Sequence, residues 1–334
     1  MVIKFMTTIF GIESTAHTFG VAVVKNSKIL SNVKKTYTTE KGGIIPMEAA
    51  KHHNKNKGEI YLNSLLESGI KEKDIDAIAI SQGPGLAPCL LQGMNFAKEL
   101  AQKLKIPIVP VNHCIAHLEI GRITGAKDPV MLYASGANTQ IIAYASGKFR
   151  VFGETLDIGI GNFIDTFARY SEIGFPGGPV IENLASKGKQ LIEIPYKVKG
   201  MDIALSGILT NLKQKLESGK YSLQDLAFSL QENVFAMLVE TSERALAHTG
   251  KKELLLGGGV ACNKRLQEMC KIMCEERGAK FFCPPNDLLT DNAAMIAYTG
   301  ELIFKNGNFI AVKDIDKLDI APRQRTDDVE IKYK

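Results

Sequence analysis

Short apolar runs separated by polar turns open the chain. Residues 8–12 and 20–24 are β-branched stretches with a polar turn between them, and Lys25-Asn26-Ser27 leads into a third extended run over 29–37. Together they predict a meander. Over 47–66 the period changes to helical, with a polar face rich in His and Lys that takes in His52 and His53. Residues 76–80 predict a buried strand ending in Ser81-Gln82-Gly83-Pro84-Gly85. A helix follows through Leu90, Met94, Ala97, Leu100 and Leu104, and 106–111 predict the next strand, leading into Asn112-His113-Cys114-Ile115-Ala116-His117.

After the polar stretch 124–128 the pattern starts again. Strands are predicted at 130–134, 139–145 and 149–152, with turns at 135–138 and Gly147. Helices follow over 162–171, 180–187 and 223–248. A strand at 254–256 then ends in Gly257-Gly258-Gly259, with a helix beyond it to Arg277, a short strand at 281–283 and a closing helix over 292–304. The halves share more than order. Ser14-Thr15-Ala16-His17-Thr18 and Ser135-Gly136-Ala137-Asn138-Thr139 both read S-x-A-x-T between two apolar strands. Later in each half a strand ends in a Gly-rich loop that opens a helix. This internal repeat predicts an α/β fold of duplicated actin-like or Hsp70-like ATPase lobes around a central cleft. The lobes are expected at 1–127 and 128–334, with helical insertions at about 155–250 and the last helix packing back on the first lobe.

Composition narrows the setting. At 45% hydrophobic and 23% charged the chain is neither disordered nor fibrous, and 334 residues suggest about two domains. The N-terminal MVIKFMTTIFGIE lacks a signal-peptide cleavage pattern, and no stretch nears the ~18 apolar residues of a membrane span. A cytoplasmic protein with no membrane partner is expected, its six cysteines reduced thiols. A formal charge of +5 neither establishes nor forbids nucleic-acid binding.

The candidate chemistry lies in loops and histidines. Tight Ser/Thr/Gly turns aim backbone N–H groups outward, which suits phosphate, and a Gly triplet before a helix favours a nucleotide. No P-loop and no G-x-G-x-x-G after a strand is present. His113 and His117 stand four apart, so a helix would turn both imidazoles to one face, close enough to share a metal; two surface histidines are the plain alternative. Cys114 stands where a zincin needs Glu, which argues against a metalloprotease. Asp291, in an N-cap-like position before the closing helix, is a third ligand or a plain cap. Tyr133 ends a strand beside the second hairpin loop, as a ligand for a hard metal or as a core residue. Asp165 is placed either to receive ribose hydroxyls or to sit in a helix's first turn. Gly178, in Phe175-Pro176-Gly177-Gly178-Pro179, is placed in a substrate wall or a connection.

Seven stretches in order then carry a resemblance: SQGPGL (81–86), VNHCIAH (111–117), LYASGANTQ (132–140), FGETLDIGIGNFID (152–165), FPGGPVIE (175–182), LLGGGVACNKRL (255–266) and DNAAMIA (291–297). From about residue 8 to 328 the chain resembles the tRNA N6-adenosine threonylcarbamoyltransferase family (TsaD-like). Its archaeal/eukaryal branch, the catalytic subunit of the KEOPS complex, is the nearest, since IESTAHTFG resembles that branch's opening motif. The resemblance implies transfer of threonylcarbamoyl from threonylcarbamoyl-AMP to N6 of adenosine 37 in tRNAs reading ANN codons, with release of AMP. It assigns metal ligation to His113, His117 and Asp291, with Tyr133 as a further ligand. Nucleotide or substrate contacts fall to Tyr133, Ala134, Ser135, Gly136 and Ala137, and to Asp165, Gly178, Glu182 and Asn263. The implied cofactor is one metal ion, Fe(2+) ahead of Zn(2+) because a phenolate oxygen joins the set; an ATP/AMP-type nucleotide is the substrate moiety. The implied partners are tRNA, a small atypical protein kinase/ATPase subunit and small accessory subunits of a KEOPS-like complex. Some archaeal members carry that kinase fused behind the transferase.

Two departures from the family pattern stand out. Ala137 replaces a Gly of the usual SGGNT, where a methyl would crowd a phosphate if the backbone needs positive φ. Leu205 stands where many members have Phe, expected to alter packing more than chemistry. Lys-rich stretches at 51–57 and 187–199 are candidate tRNA contacts or solvated faces. The competing reading is a nucleotide-binding scaffold or ATPase of the same superfamily without transferase chemistry of its own.

Overall fold

The computed structural model describes residues 6–331 and Tyr333, which form two units, each built on its own five-stranded sheet. In chain order the elements begin with β1 (Thr8–Glu13), β2 (Thr18–Lys25), β3 (Lys28–Thr36), α1 (Pro46–Ser68), β4 (Ala77–Gly83), α2 (Ala87–Leu104), β5 (Ile108–Asn112) and α3 (His113–Ile120). There follow β6 (Val130–Ala134), β7 (Thr139–Ala145), β8 (Lys148–Glu154), α4 (Ile160–Tyr170), α5 (Gly178–Ala185), β9 (Val198–Lys199), β10 (Asp202–Ile203), α6 (Ser206–Glu217) and α7 (Leu223–Thr249). The chain continues with β11 (Glu253–Gly257), α8 (Lys264–Glu276), β12 (Lys280–Phe282), α9 (Asn286–Leu289) and α10 (Ala293–Lys305).

The strand order confirms the repeat read from the sequence. One sheet runs β3-β2-β1-β4-β5 and the other β8-β7-β6-β11-β12. In each, an antiparallel meander supplies three strands and two more add in parallel beside its first strand. The duplicated α/β lobes are therefore present as two topologically equivalent sheets.

The first unit takes residues up to Tyr37, Ile44–Ile120 and the chain from Asp291 onward; the second takes 38–43 and 121–290. The lobe boundary thus falls at 120/121 and not at the expected 127/128. The local contacts explain it: Lys127 and Asp128 donate their N–H groups to Glu253 on β11, and Gly121 packs on Leu255.

In the first unit β1 has both faces covered, so every residue is buried, the polar Thr8 and Glu13 at its ends included. Phe10 and Ile12 join the core with Ile60 and Tyr61 of α1 and Met94 and Ala97 of α2. Gly11 turns the other way, toward α10. A Cβ there would stand 2.5 Å from the Ala293 carbonyl and 2.7 Å from the Ala297 Cβ, and one on Gly300 would stand 2.4 Å from the Ala79 Cβ. Small residues at i, i+4 and i+7 of α10 let the helix lie directly on the sheet, which fixes where Asp291, just before the helix, is delivered.

In the second unit α4–α7 lie between β8 and β11 in sequence, and their apolar faces form the core with the sheet: Phe163 and Phe167, Ile181, Leu212, and Leu230 and Phe235 are all buried. The helix expected at 180–187 starts earlier, at Gly178, with Pro179 in its first turn. The short α6 and the β9–β10 hairpin were not anticipated; two-residue strands carry no periodicity to read. Leu205 is fully buried in this core, while Ser206 donates its N–H and hydroxyl to Asp157. Leu205 is thus a packing residue of this core. No helix among the described residues is long and apolar enough to cross a membrane.

Candidate metal centre

Asn112, the last residue of β5, accepts the Ile115 N–H at 3.1 Å through Oδ1 and so starts α3 directly at His113. His117 follows one turn later on the same side, and the two rings lie 4.8 Å apart between centroids at 80°. All eight residues of α3 are buried, so these are not surface histidines. Asp291 completes the group. The expected cap role belongs to its neighbour: Asn292 Oδ1 accepts the Met295 N–H at 3.0 Å, leaving Asp291 outside the helix with its carboxylate turned inward. Asp291 Oδ1 lies 3.4 Å from Nε2 of His113 and 3.4 Å from Nε2 of His117. Lys34 Nζ donates to the Asp291 carbonyl oxygen at 3.2 Å.

Three donor atoms, two imidazole nitrogens and a carboxylate oxygen, lie within 4.8 Å of one another in a buried site. That set fits a divalent transition metal, and N/O donors without thiolate suit iron or zinc. The charges fit as well. Burial opposes a charge on His113, yet the carboxylates of Glu13 and Asp291 outweigh it and hold that imidazole well above its ordinary range. Burial also works against the Asp291 carboxylate, but the charge on His113 holds it well below its ordinary range. Burial lowers His117, and its hydrogen bond to the Asp291 carboxylate only partly offsets it. A positive charge is favoured among these groups, a demand that a bound cation would also meet. Cys270 and Cys274 are buried thiols, Cys274 pushed by burial up to about 11, so neither is a reactive thiolate.

Sequence reasoning missed Glu13. It ends β1, is fully buried, and places Oε2 3.0 Å from His113 Nδ1, while the Thr15 N–H donates to its Oε1 at 2.6 Å. The signal was there: one acid inside an otherwise apolar strand. His53, expected on the polar face of α1, is also fully buried; its Nε2 meets the Ala16 carbonyl at 3.0 Å and ties the helix to the loop carrying Thr15.

The remaining predicted site residues lie in the second unit. Tyr133 and Ala134 close β6, buried and paired with Gln140 and Thr139. In the following loop the Ser135 N–H donates to the Asn138 carbonyl at 3.0 Å. Ser135 and Gly136 accept the N–H groups of Gly161 and Asn162, so the first amides of α4 brace the loop. Neither Gly136 nor Ala137 has a positive φ, and Ala137 is exposed; the alanine introduces no backbone strain. Gly258 does require glycine: its φ is +90°, and a Cβ would stand 2.4 Å from the Ala134 carbonyl. Asp165 Oδ1 accepts the Gly177 N–H at 2.8 Å, and Glu182 Oε1 accepts the Lys264 N–H at 2.9 Å. Asn263 caps α8 through the N–H groups of Arg265 and Leu266. Each of these three shapes its loop. Gly178 has nothing within 4 Å of where a Cβ would point, so packing does not dictate that glycine.

Residues 28–298 match the family model TsaD, tRNA N6-adenosine threonylcarbamoyltransferase. A protein of that name from Thermococcus kodakarensis is 56% identical over 96% of this chain and 98% of its own length. A probable bifunctional tRNA threonylcarbamoyladenosine biosynthesis protein from Methanosarcina mazei is 51% identical over 98% of this chain, which spans 60% of that protein. Among solved structures, T. kodakarensis HypF superposes with a TM-score of 0.62 at 14% identity, over 88% of this chain and 47% of that one. An activator of 2-hydroxyisocaproyl-CoA dehydratase from Clostridium difficile, solved with bound ADPNP, reaches 0.53 at 12% identity over 94% and 96%. At such identities these two structures speak for the fold alone.

Proposed function

The chain belongs to the tRNA N6-adenosine threonylcarbamoyltransferase family, and from that premise we propose that it moves threonylcarbamoyl from threonylcarbamoyl-AMP to N6 of adenosine 37 in tRNAs reading ANN codons. The observation that carries this reading is the buried His113/His117/Asp291 group, whose three donor atoms lie within 4.8 Å of one another. The adenine amine attacks the carbamoyl carbon. A C–N bond forms, the C–O bond to the phosphate breaks, AMP leaves with the electron pair, and the amine gives up a proton. Because the carbamoyl-phosphate bond is a mixed anhydride, no protein nucleophile is required. A metal held by His113, His117 and Asp291, with Tyr133 as a further ligand and iron ahead of zinc, would supply Lewis-acid polarisation of oxygen near the reacting carbonyl. The chain's own residues orient: α3 and the start of α10 fix the three donors, and loop 134–137 with Asp165, Gly178, Glu182 and Asn263 would receive the nucleotide portion.

The tRNA would be drawn electrostatically. On α1, Lys51 pairs with Glu48 at 2.8 Å and Lys57 lies over the Phe96 ring, which leaves Lys55 as the exposed lysine of that stretch outside these contacts. Lys187, Lys197 and Lys199 are exposed and make no ion pair among the described residues, which favours the 187–199 segment as the phosphate-facing one. We place the reaction in the cytoplasm, beside a small kinase/ATPase and accessory subunits of a KEOPS-like complex. Reconstitution with metal, tRNA transcripts, the partner set and threonylcarbamoyl-AMP, scored by nucleoside mass spectrometry, tests the reading. Threonylcarbamoyladenosine at position 37 is expected, with tRNA binding that weakens steeply as salt rises. No modified nucleoside under these conditions would refute it.

A further inference from the structure

We infer that Glu13 is a positioning residue: it fixes the ring orientation and tautomer of His113 so that Nε2 presents its lone pair to the metal. The inference rests on reading His113, His117 and Asp291 as a metal site. A neutral imidazole carries one proton, on Nδ1 or on Nε2, and only the Nδ1–H form offers Nε2 as a ligand. What chooses between them is the partner of the other nitrogen. Here that partner is Glu13 Oε2, 3.0 Å from Nδ1, while Nε2 faces Asp291 at 3.4 Å.

The carboxylate is itself held. Its Oε1 accepts both the N–H and the hydroxyl of Thr15, so the oxygen left to His113 has one direction in which to point. The Thr15 hydroxyl lies 3.3 Å from the same Nδ1, but its hydrogen goes to Glu13, so it does not compete as the main acceptor. The Thr15 carbonyl in turn accepts the Leu86 N–H at 2.7 Å, which pins the loop beneath the start of α2. A fully buried carboxylate at the end of an apolar strand is costly without such partners. The arrangement reaches across 100 residues of sequence to one nitrogen of one ligand.

The test reads metal binding directly, without turnover. Purified wild type, Glu13→Ala, Glu13→Gln and Thr15→Val are stripped of metal and titrated with Co(2+), following the ligand-field spectrum, and with Zn(2+) against a chromophoric chelator. Glu13→Ala is expected to weaken metal binding by about 10–100-fold and to alter the Co(2+) spectrum. Glu13→Gln, whose amide oxygen can still accept from Nδ1–H, is expected to lose less. Adding Glu13→Ala to His113→Ala should cost nothing further, because Glu13 acts through that ring. Wild-type affinity together with an unchanged Co(2+) spectrum in Glu13→Ala would overturn the inference. If Glu13→Ala does not fold, Glu13→Gln and Thr15→Val decide by the same two readouts. Failure of the wild type itself to bind Co(2+) or Zn(2+) would overturn the metal reading instead.

Discussion

Loop 14–17 of the first unit and loop 135–138 of the second occupy one place in one strand order, each joining the middle strand of a five-stranded sheet to its antiparallel neighbour. Both begin with Ser and end before Thr. Their surroundings differ. The first loop is packed under the Gly-Pro-Gly turn and α2: a Cβ on Gly85 would stand 2.5 Å from the Thr15 carbonyl, and one on Gly93 would stand 2.0 Å from the Ser14 hydroxyl. The second rests on Gly159, Gly161 and Gly258, and keeps Ala137 exposed. The residue before the loop is Glu13 in one unit and Ala134 in the other. A repeated turn thus has two settings. One copy sits beside the buried Glu13 under α2; the other is braced by the start of α4 and keeps one exposed residue.

That contrast can be broken from either side. The largest effect is expected on the buried side: His117→Ala or Asp291→Ala should leave the purified protein without metal and cut nucleoside formation by about 10³-fold or more. Metal content by plasma mass spectrometry checks the first, and full activity in a metal-free variant would contradict it. On the open side, Gly258→Ala places a side chain at φ +90° and ψ 161° against a carbonyl, and should cost about 2–5 kcal/mol by denaturant unfolding. The protein that does fold should still bind Co(2+), since His113, His117 and Asp291 all lie in the other unit.

The first loop's tether should titrate. Burial lowers His53 from 6.5 to about 4, so it is neutral in the folded protein and takes up a proton more readily when unfolded. Its contribution is full above pH 6.5 and is lost as pH falls toward 4, by up to about 3 kcal/mol. Unfolding free energies measured across that window should slope less in His53→Gln; an unchanged slope would remove His53 from the account. The smallest effect is expected at Ala137→Gly. Without positive φ to relieve, glycine should alter stability by no more than about 1 kcal/mol and leave nucleotide affinity, measured by calorimetry, nearly as it was. A large gain in affinity would show that the methyl crowds the ligand.

Particular residues mark how far the sequence reached. The duplication was readable because each half repeats a local pattern, three extended runs and then a strand ending in a Gly-rich turn. The pairing of His113 with His117 was readable because four residues make one helical turn. Asp291 was singled out as a third ligand or a plain cap, and sequence alone left that choice open: whether it or Asn292 caps α10 depends on one residue of helix register, which propensity does not resolve. The lobe boundary was misjudged for a similar reason. The polar stretch 124–128 looks like a linker, yet its N–H groups belong to β11, more than a hundred residues later.

By itself the sequence determined the duplicated α/β pattern, the family, and the choice of His113, His117 and Asp291 as candidate donors, since each is written in periodicity, spacing or ordered motifs. Tertiary structure alone decided that Glu13 holds His113, that His53 lies inside, and that one hairpin loop is covered while its twin stays open. Those outcomes depend on which elements are packed against a residue, and neighbours brought together by folding leave no periodic trace along the chain.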